Sequence, residues 1–150
     1  MEAMDRRGVF AVLASLSALG LLPAEGAASD IQSESKVIKY DSLPVRTFAN
    51  GGTQRRVISG TLPTGEFIEV HETMLPAGQM PHPPHKHPNT EMLFIQTGTL
   101  IYLDAGKPIP TGAGDIVFTA SNTLHGLKNV GTTPATYIVV SVGKQLPEKG

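Results

Sequence analysis

Three of the five histidines in this 150-residue chain, His82, His85 and His87, fall within six residues, and Glu91 follows His87 by four. Side chains two apart on an extended backbone share a face. His85 and His87 therefore point the same way, and Glu91 joins them if the chain stays extended. Imidazole nitrogens with a carboxylate oxygen suit borderline divalent ions such as zinc, iron, manganese or nickel. One short segment then supplies three ligands, and a fourth must come from elsewhere. His125, in Ser121-Asn-Thr-Leu-His-Gly-Leu-Lys-Asn129, is the obvious candidate. The competing reading is a solvated histidine-proline loop. Against it, Glu91 stands at the mouth of the apolar run Met92–Ile95, where an unpaired carboxylate is expensive.

The elements that must hold these residues read as β-strands. No mature stretch shows sustained apolar residues at helical spacing, and short runs of β-formers alternate with Gly and Pro breakers. The runs are Val37–Tyr40, Arg56–Ser59, Glu66–Leu75, Glu91–Gln96, Thr99–Leu103, Asp115–Phe118, Gly126–Lys128 and Ala135–Val142. The stretch from Lys107 through Gly114, with two prolines, reads as a break. Many short strands at this spacing argue for an all-β sandwich or barrel. Phe67, Glu69, His71 and Thr73 share one face of their strand, which brings Glu69 and His71 within reach of a barrel interior, though His71 reads equally as a core or a surface histidine. Leu93 and Ile95 share the parity of Glu91 and wall its cavity, with Met92 and Phe94 pointing away. Ala135–Val142 is apolar on both faces and reads as a strand buried on two sides.

The two histidine segments resemble the two short motifs of the cupin superfamily. The first runs Gly78, His85-x-His87, Glu91 and Gly98, with one residue more than usual between Gly78 and His85. The second runs Gly114, Ala120-Ser121-Asn122, His125 and Asn129, at the expected spacing but without the usual Pro-x-Gly core. The resemblance covers roughly 37–142. It implies a cupin-type jelly-roll β-barrel of two antiparallel sheets, with one divalent transition metal (Mn, Fe, Ni or Zn) held by His85, His87, Glu91 and His125. In this family the face opposite the cavity often packs on a second sheet or a dimer partner, so a homodimer is expected.

The N-terminus has its own logic. Arg6 and Arg7 precede an uncharged, mostly apolar run from Gly8 to Leu22, then small residues including Gly26 and Ala28. That is the layout of a cleaved secretory signal, too short to span a bilayer. The paired arginines resemble a twin-arginine signal, with an ordinary secretory signal or an uncleaved anchor as the alternatives. A start at Met4 rather than Met1 would make the leading segment net positive. The expected organisation is a signal peptide over 1–28, a tail over 29–35, the barrel over 36–143 and a C-terminal tail over 144–150. The product would be periplasmic or secreted, with no stable membrane insertion after cleavage. Cleavage removes two arginines and three acids, which leaves ten basic and ten acidic residues.

A near-neutral chain without basic runs or an aromatic stripe excludes a nucleic-acid partner. The absence of cysteine excludes disulfides, thiolate metal sites and a cysteine nucleophile. Three imidazoles and one carboxylate leave two positions of an octahedral ion for water or a small-molecule ligand. The expected function is that of a small metalloenzyme, an oxygenase, decarboxylase or lyase, or isomerase, acting on a small polar acid or phenol. The alternative is a non-catalytic metal- or ligand-binding module. No nearby triad or carboxylate pair fixes a reaction. His82 reads as exposed, with a supporting or ligating role as alternatives, and Tyr102 and Tyr137 read as packing residues.

Overall fold

The computed structural model describes residues 35–144. The expectations for the signal peptide, most of the N-terminal tail and the last six residues fall outside the described residues. Nine strands form: β1 (Val45–Thr47), β2 (Thr53–Thr61), β3 (Phe67–Leu75), β4 (Thr90–Thr97), β5 (Thr99–Asp104), β6 (Lys107–Gly112), β7 (Ile116–Thr119), β8 (His125–Asn129) and β9 (Ala135–Gly143). They pair antiparallel in a six-stranded sheet of order β1-β2-β3-β9-β4-β7 and a three-stranded sheet of order β6-β5-β8. The all-β expectation and its two sheets are thus observed. Among the described residues, no helix is long and apolar enough to cross a membrane.

The core lies between the sheets. Leu75, Leu93, Ile95, Val117, Tyr137 and Val139 come from the large sheet, and Leu100, Tyr102 and Leu127 from the small one. Each such side chain removed from water contributes about 2 kcal/mol. The register of the large sheet sorts its inner face into rows. One row reads Ser59, Glu69, Ser141, Glu91, Thr119, and the next Arg56, His71, Val139, Leu93, Val117. The third reads Arg46, Gln54, Thr73, Tyr137, Ile95. Below the polar first row, the inner face is therefore apolar on β9, β4 and β7 and polar toward β1 to β3.

Four sequence expectations need correction. Val37–Tyr40 is not a strand: Val37 is exposed, and Tyr40–Ser42 is a 3-10 turn with no sheet neighbour to hold an extended chain. The expected break from Lys107 holds β6, because Pro108 and Pro110 sit on the edge of the small sheet, paired only to β5. Both share one parity, so neither missing N–H faces the ladder. The three-residue strand β1 escaped notice altogether. Finally, β9 is buried on one face only; Thr136, Ile138, Val140 and Val142 are half-buried on the other.

Over β9, β4 and β7 that other face of the large sheet is a continuous apolar surface. Met92 and Phe94 on β4 lie opposite Val140 and Ile138, and Phe118 and Ile116 on β7 pair with the same two residues of β4. Ile116 is 62% exposed and Phe118 65%. Patches of this kind on soluble proteins usually mark contact sites.

Two details shape the ends of the barrel. Gly98 alone makes the corner by which the chain leaves β4 in one sheet and enters β5 in the other, at φ 101°. Asn129 is fully buried; its amide donates to the Leu75 and Thr133 carbonyls, both at 2.9 Å, and its oxygen accepts from Gly131 N–H at 3.0 Å. It ties the end of β8 to the end of β3.

Candidate metal centre

The histidine segment is positioned by backbone pairing, not by its prolines alone. His85 and His125 form an isolated antiparallel bridge, with reciprocal hydrogen bonds of 2.9 Å (His85 N–H to His125 O) and 2.8 Å (the reverse). The loop before β4 is thereby fastened to the first residue of β8. The missing Pro-x-Gly core does not disturb the approach to His125. Asn122 takes the left-handed conformation (φ 59°) that a glycine would otherwise supply, and its N–H donates to the His87 carbonyl at 2.8 Å.

The structure brings His85, His87 and His125 together, with one ligand atom from each all within 4.8 Å of one another. The Glu91 carboxylate stands beside them, 3.4 Å from His87 Nε2 and 3.8 Å from His125 Nε2. His87 Nδ1 faces the Asn89 carbonyl at 3.0 Å and His125 Nδ1 faces the Thr123 carbonyl at 2.8 Å. A carbonyl only accepts, so both Nδ1 atoms carry a proton; in the neutral rings each Nε2 lone pair can bind a cation, whereas a protonated His87 donates from Nε2 to Glu91. Within the cluster two buried ring nitrogens, His125 Nε2 and His85 Nδ1, have no protein partner. Buried polar atoms of this kind need a partner, and three imidazoles can hold a metal ion. The donor set fits a borderline divalent ion.

The electrostatics of the ion-free cluster are uneven. Burial, reinforced by His82, His125 and His87, pushes His85 down to about 4. The hydrogen bond from His87 to Glu91 raises His87 against its burial. Burial pushes the Glu91 carboxyl up, but the His87 hydrogen bond and the charges of His125, His87 and His71 outweigh it and hold Glu91 below the usual range. These shifts have opposite signs in stability. Unfolded His85 takes a proton near 6.5 that the folded residue refuses until about 4, so its stabilisation is full above 6.5 and lost as pH falls. His87 does the reverse: its contribution is full below 6.5 and lost as pH rises through its raised value. Chelator-treated protein is therefore expected to lose urea resistance between pH 6.5 and 4, and His85→Gln should flatten that limb. An unchanged limb in the variant would contradict the assignment.

The cluster opens on a cavity of about 300 Å³ between the sheets, whose walls include Glu91, His125, Leu93, His71 and Tyr137. Glu69 and His71 reach it, and His71 Nδ1 lies 3.6 Å from the Glu69 carboxylate, whose pKa that contact lowers against its burial. Leu93 walls the cavity, while Ile95 sits in the core and not in that wall. His82 is exposed, yet its ring meets His85 edge-on at 4.2 Å between centroids. Tyr102 and Tyr137 are core residues whose hydroxyls bond Thr119 and Thr73, and burial raises both phenols. Sequence reasoning missed Arg46, Gln54 and Arg56, which also line the cavity. Arg46 stands on the unrecognised β1. On β2 a bulge between Arg56 and Ile58 places Arg56 and Ser59, three apart, on the same inner face.

A small two-sheet β-barrel with a histidine cluster in the wall of its cavity defines the class. A cupin domain family model matches residues 71–141 of the chain. The chain is 36% identical over 59 residues to an oxalate-binding protein of Thermotoga maritima, a match covering 39% of this chain and about half (49%) of the length of that relative. Solved structures share the fold. An RmlC-like cupin from Shewanella frigidimarina superposes with TM-score 0.63 at 14% identity, covering 75% of this chain and 95% of its own. A predicted oxalate decarboxylase from Thermotoga maritima does so with TM-score 0.60 at 24% identity, covering 72% and 99%.

Proposed function

We propose that this protein binds one divalent transition metal (Mn, Fe, Ni or Zn) through His85, His87, Glu91 and His125. In the adjoining cavity it acts on a small polar acid or phenol as an oxygenase, decarboxylase or lyase, or isomerase. The observation that carries the reading is the convergence of three imidazoles, two of them with partnerless buried nitrogens, beside a carboxylate. The ion would supply Lewis acidity and two exchangeable positions. Around it the chain places His71 and Tyr137, groups able to hold or move a proton, in the cavity wall. That favours an enzyme over the second reading, a non-catalytic ligand-binding module, which draws support from the partial relative named for binding oxalate. The test is metal content of protein purified from its native compartment, then turnover and oxygen uptake with small acids and phenols. Binding without turnover across the panel selects the module. A protein that carries no ion defeats the metalloenzyme, and one that also binds none of the panel defeats the module.

Export belongs to the same proposal and rests on Arg6-Arg7 and the apolar run behind them. If folding precedes export, the ion loaded inside the cell is protected from copper, which outcompetes manganese and iron at such sites. Recovery of only copper or zinc in the exported protein would count against this. The apolar outer face of the large sheet supports a homodimer, and Phe118→Glu is expected to convert dimer to monomer in sedimentation experiments. A wild-type protein that is monomeric at tens of micromolar would oppose it.

A further inference from the structure

The inner face of the large sheet is polar where a bland barrel would be apolar. From β1 to β3 it carries Arg46, Gln54, Arg56, Glu69, His71 and Thr73, and all six line the cavity. The charged groups in that wall are two arginines and two glutamates, Glu69 and Glu91, so they cancel. A divalent ion then leaves the cavity with two net positive charges. The arginines are also poorly satisfied. Arg56 lies 3.9 Å from Glu69, too long for a hydrogen bond, and its side chain is 54% exposed. Arg46 stands over the Phe48 ring at 5.0 Å, and among the described residues it forms no ion pair. Neither guanidinium donates a hydrogen bond among the described residues. A guanidinium offers a planar fork of donors matched to a carboxylate or phosphate.

The arginines are also remote from the histidines. Glu91 is on β4, and Arg56 is on β2, with β9 and β3 between them. Three strand spacings amount to roughly 14 Å along the sheet. An acid of two carbons chelated by the ion has nothing left to reach the arginines, whereas a longer acid does. Resting on the metal-site reading above, we propose that the cavity takes a small organic anion bearing a second acidic head. One end meets the ion, and the other is held at the mouth by Arg56 and Arg46, with Gln54 between them in register. The volume of about 300 Å³ is at the small end for ligand pockets, which limits the ligand to a compact acid.

The experiment is calorimetric titration of manganese-loaded protein with oxalate, malonate, succinate, glutarate, 2-phosphoglycolate and the neutral succinamide. Binding of at least one of the longer acids is expected, with no binding of succinamide. Arg46→Gln and Arg56→Gln should each weaken the longer acid about tenfold, and Arg56→Lys less. Manganese affinity and thermal midpoint should stay within error, since both arginines are exposed and far from the ligands. Oxalate binding should depend on the ion and little on the arginines. Preference for 2-phosphoglycolate over the dicarboxylates would identify the distal head as phosphate. If no longer acid binds, or if the arginine variants bind it undiminished, the proposal is overturned while the metal reading stands. If the protein takes none of manganese, iron, nickel and zinc, the metal reading fails by itself. The same titrations on ion-free protein then decide the arginines: binding weakened by the arginine variants keeps the anion site, and no binding, or binding that they leave unchanged, overturns it.

Discussion

His87→Ala is expected to reduce divalent-metal affinity at least about 100-fold and to lower the melting temperature of metal-loaded protein by about 10 °C. His87 is 6% exposed, its Nδ1 is held by the Asn89 carbonyl, and its Nε2 lies beside Glu91. Removing it deletes a donor and leaves Glu91 without its hydrogen-bond partner. An ion present at 100 times its dissociation constant stabilises the folded state by about 2.7 kcal/mol, and in a domain of this size that is worth roughly 10 °C. Metal analysis and thermal melts with and without chelator check this. The wild-type protein and the variant should differ much more with metal than without it. Equal metal content in the two, with equal melting shifts, would remove His87 from the site.

Gly98→Ala should cost about 3 kcal/mol or more, a large part of the 5–15 kcal/mol of an ordinary domain. Two effects add. At φ 101° any Cβ strains the backbone, by about 1–2 kcal/mol or more. The new methyl would also collide with the Ala135 side chain and lie 2.8 Å from Ala135 Cα, an overpacking that costs about 1–3 kcal/mol. Ala135 is itself fully buried at the start of β9, so it has no room to retreat. Urea unfolding should show a midpoint lower by at least ~1 M with an unchanged slope. Gly114→Ala is the internal control: its φ is 91°, but nothing lies within 4 Å of the added carbon. It should suffer the backbone strain alone. Equal losses in the two variants would mean that the collision contributes nothing.

The histidine segment was legible because a two-residue repeat and a buried-carboxylate argument need no knowledge of the fold. Glu69 and His71 were legible for the same reason, since β3 keeps strict alternation along its length. The arginines were not. Their place depends on a bulge in β2 and on a three-residue strand whose only support is its neighbour, and neither leaves a periodic trace. The prolines of β6 misled because proline breaks a central strand but is harmless on an edge, and edge status is a property of the finished sheet. The exposed side of β9 misled for a related reason. Apolar residues on both faces signal burial on both only if something covers the second face. Asn122 shows the opposite case, in which a lost motif residue leaves the turn intact because asparagine tolerates the same backbone conformation.

The bridge between His85 and His125 has a kinetic meaning. Glu91 belongs to the large sheet and His125 to the small one, and the bridge locks the intervening loop to His125. An ion held by all of them cannot leave by shedding one flexible side chain after another. Its departure would need the loop to part from β8, a local opening event that breaks the two backbone hydrogen bonds of the bridge. The rate of metal exchange should therefore track amide exchange at His85 and His125, and destabilising the loop should hasten both without first weakening the equilibrium fit of the ion.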